Sequence, residues 1–178
     1  MQKYDFRRTS AVLLCGTMLL LTGCKQKTVT LESTDYTDQV EPFSVDESWL
    51  DVTGSQRLFG DGKTIADELR RRVREELGIT ISVGVSDNKA WAKLGSDYKK
   101  PDATTVISPE NWREIVWPLP VGDLLFVGRA ARQALNSIGV STIGDLAKCK
   151  VETLETMLGK LGYQLHQYAN GLDRSPVR

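Results

Sequence analysis

The stretch Ile79-Thr80-Ile81-Ser82-Val83-Gly84-Val85-Ser86-Asp87-Asn88-Lys89-Ala90-Trp91-Ala92-Lys93-Leu94 decides the fold class. Ile79, Ile81, Val83 and Val85 alternate with Thr80, Ser82 and Gly84, the period of a strand buried on one face. Asp87 can then cap a short helix through about Tyr98, which Pro101 stops. Upstream, Ile65, Leu69, Val73 and Leu77 recur every four residues with Ala66 beside them. Arg70, Arg71, Arg72, Arg74, Glu75 and Glu76 fill the other face of that amphipathic helix, and Gly78 is its natural stop. Farther upstream, residues 42–52 (PFSVDESWLDV) have strand content interrupted by two adjacent carboxylates. Downstream come a brief strand at Thr104 to Ile107 and a helical SPENWREIVW segment with Pro at its first turn. The alternation of strands and helices predicts an α+β layer, a sheet covered by amphipathic helices.

After Pro118 and Pro120 the pattern becomes all-helical. Short helices are expected at Ala130 to Ile138, Ile143 to Lys148 and Val151 to Asn170, with a domain boundary near Trp117. At the other end, Lys3, Arg7 and Arg8 precede the apolar run Ala11 to Leu21, followed by Leu21-Thr22-Gly23-Cys24. That layout resembles a bacterial lipoprotein signal, cut before Cys24 and lipidated on it. A buried apolar N-terminal helix is the alternative. Residues 25–40 are polar and aperiodic, a linker. The expected organisation is 1–24 signal-like, 25–40 linker, 41–117 α+β and 118–178 helical.

Composition narrows the chemistry. The 178 residues carry 23 basic and 23 acidic side chains. Zero net charge argues against a histone-like binder that neutralises phosphates by bulk charge. Cys15, Cys24 and Cys149 form neither a metal knuckle nor a disulfide framework. The single His166 leaves little room for a His-rich metal site. Cys149 and His166 are expected in ordinary helix packing.

Three features carry chemistry. Asp46-Glu47, with Asp51 close behind, is a ligand pair for Mg²⁺, because hard cations prefer carboxylate oxygens shared with substrate phosphates. In a regular strand adjacent residues point to opposite faces, so both reach one ion only if the chain turns there; a solvated acidic pair is the alternative. Lys89 and Lys93 share a helix face that could meet one anion, and Lys100 sits where that helix ends; a solvated face is the alternative. Leu124 to Leu135 outlines a helix-hairpin-helix whose backbone N–H groups could hold a DNA phosphate, with Gly128 permitting close approach; an ordinary helical hairpin is the alternative.

Together VEPFSVDESWLDVTG, ITISVGVSDNKAWAKLGSDYKKPD and WPLPVGDLLFVGRAARQALNSIGVSTIGDLA resemble the Y-family translesion DNA polymerases, the bacterial DNA polymerase IV and V group above all. The resemblance runs from about Tyr36 to the last residue. It implies part of a polymerase palm followed by a small all-helical thumb containing the helix-hairpin-helix. It places Asp46 and Glu47 on the family's catalytic carboxylates, which bind two Mg²⁺ ions about 3.5–4 Å apart during nucleotidyl transfer. Lys100 falls on the lysine that contacts the incoming triphosphate. Val127, Gly128, Arg129 and Ala130 fall on the thumb hairpin that grips DNA.

Implied partners are primer-template DNA and deoxynucleoside triphosphates in the cytoplasm; membrane attachment follows only if the signal and Cys24 are used. No sliding-clamp segment is identified. The first palm strand with its further catalytic Asp, the fingers and the little finger find no counterpart. Asp5, Asp35 and Asp38 do not match the missing ligand. The sheet is therefore expected to expose an unpaired edge, and the chain alone to be inactive. Ala103 stands where the family usually has Gly. The alternative functions are a noncatalytic DNA-binding module and a lipoprotein with a vestigial polymerase-like region.

Overall fold

The computed structural model describes residues 11–16, 35–44 and 46–178. They form two compact units, one ending at Val106 and including Ser175–Arg178, the other Ile107–Arg174. The division falls ahead of the boundary expected near Trp117.

The first unit holds a five-stranded sheet of β1 (Ala11–Gly16), β2 (Val40–Pro42), β3 (Glu47–Asp51), β4 (Ile81–Ser86) and β5 (Thr104–Val106), in the order β2-β3-β1-β4-β5. Only the β4/β5 pair is parallel. The apolar run read as part of a secretory signal thus supplies the middle strand, and the expected sheet lacking its first strand is not found. A short unbroken run of Ala, Val and Leu suits a strand inside a sheet as well as it suits a signal, and periodicity cannot separate them.

The strand expected over 42–52 is instead a hairpin. Phe43 N and Ser44 N both donate to Glu47 O, at 2.8 and 3.2 Å, turning β2 back onto β3. Helix α1 (Gln56–Phe59) leads to α2 (Gly62–Arg72), which Asp61 caps by accepting from Thr64 N. A π-helical turn, Val73–Leu77, extends α2 to Gly78. Ile65, Ala66, Leu69 and Val73 pack with Leu50, Ile81, Val83 and Val85 to make the core.

β4 is buried along its whole length, not on one face only, because α3 (Lys89–Tyr98) covers the residues that α2 does not. Gly84 is what lets α3 lie so close. A Cβ there would stand 1.9 Å from Ala92 O and 2.6 Å from Ser96 N. Asn88, not Asp87, caps α3, accepting from Trp91 N at 2.9 Å. Asp87, one position earlier, accepts from the Asn88 side-chain amide instead.

The second unit is helical: α4 (Trp112–Ile115), α5 (Arg129–Ser137), α6 (Ile143–Lys148), α7 (Val151–Leu158) and α8 (Lys160–Ala169). Helix α4 is shorter than the sequence predicted, since residues 108–111 close a turn in which Asn111 accepts from Ser108 N. The single helix expected over Val151 to Asn170 breaks at Gly159, with φ +62°, a left-handed conformation that ends α7. Leu135, Ile143, Leu146, Leu154 and Leu165 are fully buried in this unit. Among the described residues no helix is long and apolar enough to cross a membrane.

Candidate active site and nucleic-acid interface

Asp46 precedes β3 and Glu47 opens it. Asp46 thus lies in the turn ahead of the strand, so regular strand alternation does not run through both residues. Asp46 is exposed, and its Oδ1 accepts from Ser44 Oγ at 2.9 Å. Glu47 lies deeper, its side chain 12% exposed, on a strand flanked by β1, where Cys15 stands opposite it.

Lys93 of α3 reaches Glu47, donating from Nζ to Oε1 at 2.5 Å. The same ammonium pairs with Asp97 Oδ2 at 2.9 Å, and Asp97 Oδ1 pairs with Lys100 Nζ at 2.6 Å. Glu47 and Lys100 are thereby joined through two intermediate charges. Burial works against the Lys93 ammonium, but its bonds to Glu47 and Asp97 hold its pKa above the ordinary lysine value. Burial likewise opposes the Asp97 carboxylate, and the bonds from Lys100 and Lys93 outweigh it, so its pKa lies below the usual range.

Lys89 does not join Lys93 on one anion, as the sequence allowed. Its Nζ meets Glu41 at 2.5 Å and lies 5.0 Å from the Trp49 ring centre. The bridging role of Lys93 and Asp97 escaped sequence reasoning. Its visible trace was the spacing of Lys93, Asp97 and Lys100, four and then three residues apart on a helix and its exit.

After Lys100 a cis peptide leads to Pro101, and the left-handed residue of the turn is Asp102, φ +52°. Arg70 holds it at Oδ1 (2.8 Å) and Arg74 at Oδ2 (2.5 Å). Ala103 needs no such conformation; its carbonyl accepts from Val83 N at 2.8 Å. Arg71 pairs with Glu68 and Glu75, and Arg72 with Asp35 and Glu76, so the arginine-rich face of α2 meets carboxylates of its own chain. Asp51 accepts from Thr53 N, away from the Asp46 turn along β3.

The pair Asp46 and Glu47 suits Mg²⁺ by donor type. Among the described residues no group of three or more His, Cys, Asp or Glu stands ready to hold a metal. Two carboxylates match the way Mg²⁺ is bound alongside substrate phosphates and water, rather than in a cage made of protein alone.

The hairpin belongs to the second unit. Phe126 adopts φ +67° and is half exposed, and Gly128 N donates to Phe126 O. Gly128 is the N-cap of α5 and supplies no side-chain acceptor to the helix start. Helix α6, by contrast, has a complete capping box between Thr142 and Asp145. Gly128 has φ −73°, open to any residue, and a Cβ there would meet nothing within 4 Å. Neither conformation nor packing inside the protein calls for glycine at this position. Val127 is buried beneath the turn, while Arg129 and Ala130 are exposed on the first turn of α5. Cys24 lies outside the described residues.

Comparison with known proteins agrees with this division. The impB/mucB/samB family matches residues 23–97, and the DNA polymerase-iota thumb domain matches residues 122–173. The first match begins at Gly23, so the likeness reaches into the segment read as a linker. DNA polymerase IV of Acetivibrio thermocellus is 58% identical over 142 residues, 80% of this chain and 36% of that protein. DNA polymerase IV of Moorella thermoacetica is 46% identical over 143 residues, again 80% and 36%. The chain thus spans little more than a third of the length of these curated relatives. Among solved structures, DinB from Sulfolobus solfataricus superposes with a TM-score of 0.74 at 28% identity, covering 84% of this chain and 45% of that one. An insertion ternary complex of Dbh DNA polymerase gives 0.75 at 26% identity, covering 84% and 44%. Over the matched part of its length, the chain is similar in sequence and in fold to the Y-family DNA polymerases.

Proposed function

We propose that the chain contributes the metal-binding carboxylates, the triphosphate-binding lysine and the DNA-gripping hairpin of template-directed nucleotidyl transfer in translesion synthesis. The observation that carries this reading is the charged row from Glu47 to Lys100, which ties a carboxylate beside Asp46 to a lysine at the mouth of the Pro101 turn. Asp46 and Glu47 would hold Mg²⁺, two ions by likeness to the family. Such ions make a primer hydroxyl more acidic and offset charge on the leaving pyrophosphate. Lys100 places a cation where triphosphate oxygens would lie, and the bond from Lys93 holds Glu47 in position. The uncapped start of α5 offers N–H groups to a backbone phosphate, and the bare Gly128 leaves it room to approach. Primer-template DNA and deoxynucleoside triphosphates are the partners, which places the activity in the cytoplasm with DNA.

The test is extension of a primed template by the purified chain in Mg²⁺, beside salt-dependent binding of the same duplex. Incorporation abolished by Asp46→Ala with Glu47→Ala supports the reading. A chain that neither extends nor binds the duplex overturns it. The second reading, a noncatalytic DNA-binding module, is favoured by the self-contained second unit with its own thumb-domain match. Binding without extension, weakened by change at Gly128 and indifferent to Asp46 and Glu47, would select it. Lipidation at Cys24 and membrane attachment gain nothing from the structure, because β1 places part of the signal-like run in the sheet.

A further inference from the structure

Four side chains of the first unit form a row of alternating sign: Glu47, Lys93, Asp97 and Lys100. Its two ends are the groups assigned to metal and triphosphate under the proposed function, and any coupling between them rests on that reading. We infer that Lys93 and Asp97 are positioning residues through which a divalent ion at Glu47 and a triphosphate at Lys100 favour each other's binding.

Both inner members are divided between two partners. The Lys93 ammonium serves Glu47 Oε1 and Asp97 Oδ2, while Asp97 gives its other oxygen to Lys100. A cation arriving at Glu47 neutralises that carboxylate, and Lys93 shifts its weight onto Asp97. Asp97, more fully compensated, then holds Lys100 less tightly, so a phosphate competes for it more easily. In the other direction, an anion that draws Lys100 away leaves Asp97 to Lys93, and Lys93 loosens its hold on Glu47. Linkage requires the two directions to be equal in size.

Depth makes the exchange consequential. The Glu47 and Lys93 side chains are 12% and 17% exposed, so water screens their attraction less than it screens a surface pair. Lys89, one turn earlier on α3, cannot take the place of Lys93 because Glu41 holds it. Asp46 takes its own bond from Ser44, outside the row.

Independent charges acting through space would also alter metal affinity, but their effects would add. A relay is not additive: Asp97 acts on the metal only through Lys93, and Lys100 only through Asp97. The measurement is Mn²⁺ binding, without nucleotide, by the whole chain, read from the electron paramagnetic resonance of free Mn²⁺. Glu47→Gln identifies the site. Lys93→Met is expected to tighten Mn²⁺ binding about fivefold and Asp97→Asn to weaken it about fivefold, with Asp97→Asn changing it less than about twofold once Lys93 is Met. Lys100→Met is expected to tighten binding about threefold in the wild-type background and to have no effect beside Asp97→Asn. Asp97 and Lys100 are both more than two-fifths exposed, so this second cycle survives even if Lys93→Met fails to fold. Additive effects in the cycles, with Mn²⁺ binding abolished by Glu47→Gln, overturn the relay and leave the metal site standing. Mn²⁺ binding absent from the wild type, or unaffected by Glu47→Gln, overturns the metal reading and the relay together.

Discussion

The carboxylate site and the hairpin serve one proposed reaction by opposite means. Around Glu47 the chemistry lies in side chains, each already engaged by a partner of the same chain, so a ligand must exchange contacts with Lys93, Asp97 and Lys100. At the hairpin the chemistry lies in backbone N–H groups, and what distinguishes it is the lack of a side chain at Gly128 and of a cap on α5. The first kind of site depends on how α3 is seated; the second depends on one position staying bare.

The sharpest way to break this contrast is Gly84→Ala. The new Cβ would strike the α3 backbone, so the first unit should lose about 3 kcal/mol or more, read by thermal unfolding. The charged row should loosen with it, while the transition of the second unit stays in place. An unchanged first transition would mean that α3 is not seated as described. Gly128→Asp should separate fold from function at the hairpin. An aspartate suits a helix N-cap, so stability should hold or rise by a few tenths of a kcal/mol. Affinity for duplex DNA should nevertheless fall by about tenfold or more, roughly 1.4 kcal/mol, measured by fluorescence anisotropy. Loss of both would show that the glycine serves packing after all.

Thr142→Ala tests the capped counterpart. Removing the acceptor for Asp145 N should cost about 1 kcal/mol of stability in the second unit and leave DNA affinity untouched. The smallest effect is a pH dependence. Hydrogen bonds from Thr142 and then Ser141 hold Asp145 below its ordinary value of 3.8. Its contribution is therefore complete above that value and lost as pH falls through the lower folded-state value. Acid unfolding of the second unit should show this loss in the wild type and not in Asp145→Asn.

Legibility in the sequence follows the same contrast. Asp46, Glu47 and Lys100 stand out in the sequence as candidates because the chemistry proposed for them resides in residue type and local motif. Gly128 stands out as a candidate because a glycine before a run of small residues suits a helix start, which is where the structure has it. Lys93 and Asp97 were not, because pairing across from α3 to β3 depends on how a helix is set on a sheet. Lys89 shows the cost of reasoning from one helix face, since its Glu41 partner comes from β2. The hairpin between β2 and β3 was hidden by strand-like composition on both sides of its turn. β1 was hidden because its apolar run fits two different environments equally well.

That strand has a consequence for the making of the protein. Among the described residues it is the earliest element, and it is the innermost strand of the sheet. The β2/β3 hairpin and the β4-α3-β5 crossover can each form from neighbouring sequence, but β1 is the seam that unites them. Without it two separate pairs of strands remain, each marginal on its own. Trimming between Gly23 and Cys24 would therefore remove the middle strand and unstitch the domain rather than release it.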